Sequence, residues 1–137
     1  TQKYFWEAEE TIAAFLNQFY KKGKRKLIIL GRNHYAKLVF LATTDSNLKT
    51  SMIVSNESSG HQFLGYTLQS FEAFLASIQQ NPEELAKTLI VSTNPEETEQ
   101  LLSAIKEEKD SELLSQVDII NITDLIKRNI NSTKKPK

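Results

Sequence analysis

The apolar residues of this chain fall in short runs, and that narrows most what it can fold into. Leu27-Ile28-Ile29-Leu30, closed by Gly31, is such a run. Consecutive apolar residues without polar alternation describe a buried strand. No run approaches the roughly 18 residues that a membrane-spanning helix needs. Between the runs lie segments whose apolar residues recur every three or four positions, the period of an amphipathic helix. Short buried strands combined with amphipathic helices predict an α/β (α+β) fold.

The first such segment spans residues 4–21, where Phe5, Ala8, Ile12, Phe15, Leu16 and Phe19 share one face and Gly23 supplies a stop. After the strand at Leu27–Leu30, the stretch Tyr35–Thr43 is rich in aromatic and β-branched residues and reads as a second strand. Asp45-Ser46-Asn47 is turn chemistry, and Lys49–Val54 reads as a third strand. Three strands at this spacing predict an antiparallel meander. The period then changes. Leu68, Phe71, Phe74, Leu75 and Ile78 lie on one helical face, with Thr67 as the expected N-cap. Asn81-Pro82-Glu83-Glu84 and Asn94-Pro95-Glu96-Glu97 each open a helix, with proline where the missing N–H costs least. Leu89–Ser92 and Val117–Ile122 read as strands, and Asp124–Ile130 as a last helix.

The expected architecture is a mixed five-stranded sheet, an antiparallel meander followed by strand–helix–strand crossovers, with helices flanking it. At 137 residues it fits a single domain over residues 1–131 with a flexible basic tail over 132–137. The expected core includes Phe5, Ile12, Phe15, Leu16, Phe19, Leu27, Ile29, Leu38, Phe40, Ile53, Leu68, Phe71, Leu75, Leu89, Val91, Leu101, Ile105, Ile119 and Leu125. Thr1 in first place is expected of a processed chain or a piece of a longer one, and a cytoplasmic location is the default expectation.

Charge is segregated although the net is zero. Residues 1–50 carry nine Lys/Arg against four acids, residues 51–123 three against twelve, and residues 124–137 five against one. The cluster Lys21, Lys22, Lys24, Arg25 and Lys26 crowds the connection between the first helix and the first strand, where its cations are expected to project together. Such a cluster suits a phosphate backbone or an acidic partner, with Lys127, Arg128, Lys134, Lys135 and Lys137 assisting. The acidic stretch from Glu83 to Glu112 suits a basic partner.

Motifs for chemistry are sparse. Cysteine is absent, which removes disulfides, thiolate metal sites and cysteine nucleophiles. His34 and His61 each stand in a predicted loop without a neighbouring acid or second histidine. Ser58-Ser59-Gly60-His61 offers one glycine, short of a phosphate-binding loop or a dinucleotide fingerprint. The predicted order α-β-β-β-α-β is that of the PD-(D/E)xK nuclease core, but the second and third strands carry no acid. Asp45, Glu57 and Glu9 or Glu10 have the wrong spacing for its cation site. No catalytic, metal or cofactor set emerges.

One stretch carries a family likeness. Lys37-Leu38-Val39-Phe40-Leu41-Ala42, Lys49-Thr50-Ser51-Met52-Ile53-Val54 and Gln62-Phe63-Leu64-Gly65-Tyr66 resemble a segment of type I-like N6-adenine DNA methyltransferases, over residues 37–70. The family's catalytic Asn-Pro-Pro-Tyr/Phe motif and glycine-rich cofactor loop are missing, so the resemblance implies a non-catalytic piece of such an enzyme. The residues themselves point to a non-enzymatic binding or accessory module acting on a protein or a nucleic acid. A catalytically inactive piece of a DNA-modification enzyme, or a decayed nuclease, is the alternative.

Overall fold

A computed structural model describes residues 2–56, 60–107 and 118–122. Helix α1 (Gln2–Lys21) leads into strand β1 (Lys26–Leu30), helix α2 (His34–Thr44) and strand β2 (Lys49–Val54). A small antiparallel hairpin follows, β3 (Gln62–Phe63) with β4 (Tyr66–Thr67). Then come α3 (Phe71–Gln80), the single turn α4 (Pro82–Ala86), β5 (Thr88–Ser92), α5 (Pro95–Glu107) and β6 (Ile119–Asn121). The fold is α/β: a parallel sheet flanked by helices, with strand order β2-β1-β5-β6.

The sheet explains the short apolar runs. Leu27 and Ile29 of β1 and Leu89 and Val91 of β5 point into one buried cluster, together with Ile12 and Leu16 of α1 and Ala36, Val39 and Ala42 of α2. Ile28 and Leu30 of β1 and Ile90 of β5 point the other way, into a cluster with Phe71, Phe74 and Ile78 of α3 and Leu101 and Ile105 of α5. Successive side chains alternate between faces, so a strand covered on both faces must be apolar at every position.

The meander expected at the start is a strand–helix–strand crossover instead. Residues 34–44 form a helix and β1 pairs with β2 in parallel. Parallel neighbours cannot be joined by a hairpin; their connection must return along the full length of a strand. Asn33 starts that return by accepting the Ala36 amide on its side chain at 3.1 Å. The buried positions Ala36, Val39 and Ala42 recur every third residue, which is a helical stripe. Phe40, placed in the core by the strand reading, is half-buried at the flank of that stripe and meets Tyr66 edge-on at 5.9 Å. The five-stranded mixed sheet is thereby corrected to four parallel strands among the described residues, beside the separate hairpin.

Smaller shifts have local causes. Helix α3 begins after Ser70, whose hydroxyl accepts the Ala73 amide at 3.1 Å, while Thr67 belongs to the hairpin. The pairing of β1 with β2 slips between Leu27 and Ile28, leaving Ser51 outside the register with its hydroxyl on the Leu27 carbonyl at 3.3 Å. Phe15, Phe19 and Ile119 of the expected core are half-buried. The side chain of Phe5, together with Leu125, the expected helix at 124–130 and the expected tail at 132–137, lies outside the described residues. No described helix is long and apolar enough to cross a membrane.

Candidate functional site

The five cations of the Lys21–Lys26 cluster do not share one surface. Lys21 and Lys22 are exposed at the end of α1, with the Lys22 ammonium 5.5 Å from the Phe19 ring centre. Lys24 turns inward and is only 9% exposed. Its Nζ donates to the Ala86 carbonyl at 2.9 Å and lies 2.8 Å from Asp118 Oδ2. Arg25 folds back over the Tyr20 ring, 4.3 Å from its centre, and its Nη1 donates to the Tyr20 and Lys24 carbonyls. Lys26 pairs with Glu84 at 2.9 Å. The expectation that these cations project together is corrected for a geometric reason: β1 begins here, beside β5, and the connection is stitched to the loop before β5. The Arg25 and Lys26 amides both donate to the Lys87 carbonyl. The assisting tail cations lie outside the described residues.

The carboxyl edge of the sheet is where open α/β sheets place their sites, at the point where strand order reverses. Here that point lies between β1 and β5: the chain runs from β1 to α2 on one face, and from β5 to α5 on the other. The two loops are tied across it. Asn33 Nδ2 donates to the Thr93 carbonyl at 2.9 Å, and the Thr93 amide and hydroxyl both donate to the Leu30 carbonyl, at 2.9 and 2.8 Å. Gly31 has φ +118°, and the Thr93 hydroxyl occupies the space its β-carbon would need. Beside it Glu97, 2% exposed, accepts the Ser55 hydroxyl at 2.9 Å. The switch point is filled by the protein's own side chains.

The histidines are exposed, with His34 stacked against Tyr35 at 4.1 Å. Among the described residues no three His, Asp or Glu side chains gather as a metal set. Glu9 does meet Asp45, and its carboxyl is pushed above the usual carboxylate range, first by burial, then by the Asp45 charge, the hydrogen bond to Asp45 and the Glu10 charge. Of the stretch Ser58-Ser59-Gly60-His61, Ser58 and Ser59 lie outside the described residues, as does Glu57.

A concavity among the described residues lies elsewhere. An open groove of about 1350 Å³ runs between α3 and α5. Phe71, Leu75 and Ala104 line its floor, and Glu72 on one wall faces Glu96 and Glu99 on the other. Both walls obey helical spacing: 72, 76 and 79 on α3, and 96, 99, 100 and 103 on α5. The structure thus sorts the acidic stretch. Glu84 pairs with Lys26 at the amino edge and Glu97 turns inward, while Glu96 and Glu99 face the groove. The outward stripe on α5 was present in the sequence opposite Leu101 and Ile105. Its pairing with Glu72 on α3 was not.

Fold and site together define an open, doubly wound parallel α/β protein with a helix-walled groove. Comparison with protein-family models, curated proteins and solved structures gives no match.

Proposed function

We propose that this chain is a non-catalytic binding module that recognises a protein partner. The groove between α3 and α5 carries the reading: two helices present an apolar floor between polar walls, the form in which helical surfaces receive peptide segments. Its volume exceeds the roughly 300–1000 Å³ of small-molecule pockets. The dispersal of the Lys21–Lys26 cluster supports protein over nucleic acid, because Lys24 and Lys26 are already paired with Asp118 and Glu84.

Fluorescence anisotropy tests this with the full chain against labelled amphipathic peptides that are basic, neutral or acidic, and against duplex DNA at low and moderate salt. The expected result is saturable binding of at least one peptide class. Binding of DNA alone, with the steep salt dependence of phosphate contacts, overturns it, as does binding of nothing in the panel.

A further inference from the structure

We infer that the α3–α5 groove takes a basic amphipathic segment of a partner protein, an inference that rests on the protein-binding reading above. Among the described residues the rim holds three carboxylates, Glu72, Glu96 and Glu99, and no lysine, arginine or histidine lines the groove. None of the three makes an ion pair with another described residue. They stand on both walls, and Phe71, Leu75 and Ala104 lie between them. A segment whose apolar stripe faces that floor would carry its flanking Lys or Arg side chains to both walls. Two turns of α-helix, about 10 Å long and 10–12 Å across, occupy on the order of 1000 Å³, which the groove of about 1350 Å³ admits. The field extends beyond the rim. Residues 51–123, which contain both helices, hold twelve acids against three Lys/Arg, so a cationic segment is drawn toward this half of the chain and a phosphate backbone is repelled.

The probe is a fluorescein-labelled synthetic helix of about four turns, made of leucine and lysine at helical period. Its controls are a scrambled peptide of the same composition and one with glutamate in place of lysine. The basic amphipathic peptide should bind best, and binding should weaken with salt. Glu72→Gln with Glu99→Gln, one change on each wall, should lower its affinity about five-fold, the size expected of two exposed rim pairs. Glu10→Gln with Glu83→Gln, which removes the same charge away from the groove, should change it less than two-fold. Ser103→Lys, an exposed change that puts a cation into the groove, should lower affinity further, and circular dichroism of each variant checks the fold. If both double variants bind equally, or if the scrambled or the acidic peptide binds best, the groove assignment falls while the protein-binding reading stands. If no peptide binds, both fall.

Discussion

Lys24 Nζ lies 2.8 Å from Asp118 Oδ2, and the same ammonium donates to the Ala86 carbonyl at 2.9 Å. One side chain from the connection before β1 thereby ties the end of α4 to the residue that precedes β6. The Lys24 side chain is largely sequestered while that of Asp118 is 55% exposed, so the two partners are not equivalent. Lys24→Ala should cost about 1–3 kcal/mol, because it removes a charged hydrogen bond and a packed stem. Asp118→Asn should cost less than about 1 kcal/mol, since solvent screens that half of the pair. Urea denaturation of both variants measures the difference. Equal, negligible effects would show that Lys24 is no more than a surface cation.

At the opposite edge of the sheet, Gly31→Ala should cost about 2–5 kcal/mol, from a left-handed backbone that disfavours any β-carbon and from overlap with the Thr93 hydroxyl. Thr93→Ala alone should cost about 1 kcal/mol through the lost bond to the Leu30 carbonyl. The double variant should be less destabilised than the two costs combined, by at least about 0.5 kcal/mol, because the clash is gone while the strained φ remains. Strict additivity in thermal or urea melts would refute the steric account.

The strands inside the sheet were readable from local letters because burial on both faces leaves no other composition. Lys49–Val54 is the same span in sequence and structure, and Leu27–Leu30 and Leu89–Ser92 each gain one residue at the start. Tyr35–Thr43 was misread because consecutive apolar and β-branched residues suit a strand as well as a buried helix. The Asn33 cap and the Ala36, Val39 and Ala42 stripe were the discriminating signals. The inward turn of Lys24 was not legible at all, since the Ala86 carbonyl that receives it is 62 residues away. The groove likewise joins helices brought together only by the crossing from β2 to β5.

The Glu9–Asp45 pair gives stability a pH dependence of known sign. The folded protein holds the Glu9 proton more tightly than the unfolded chain, through burial first and the Asp45 carboxylate next. Its contribution is therefore fully present below the ordinary glutamate pKa and is lost as pH rises through the raised folded value. Glu9→Gln should remove this loss. The variant should gain stability relative to the parent as pH climbs from acid toward neutral, with a flatter profile across that window. Urea midpoints at a series of pH values read the difference, and parallel profiles for the two proteins would exclude the coupling.

Asn33 does two separable jobs. Its Oδ1 accepts the Ala36 amide at the start of α2, and its Nδ2 donates to the Thr93 carbonyl across the switch point. Serine at this position keeps a capping oxygen but supplies no group that reaches Thr93. Asn33→Ser should therefore cost about 1 kcal/mol, the worth of one partly buried hydrogen bond. Asn33→Ala loses the cap as well and should cost about 2 kcal/mol. Amide hydrogen exchange separates the two jobs. In the alanine variant the first turn of α2, at Ala36 and Lys37, should exchange faster, whereas in the serine variant that turn should stay protected. The loosening should then appear at Thr93, whose amide bond to the Leu30 carbonyl depends on the two loops staying together. If serine and alanine destabilise equally and leave Thr93 unchanged, Asn33 acts as a cap alone and the switch point is held by Thr93 and Gly31 without it.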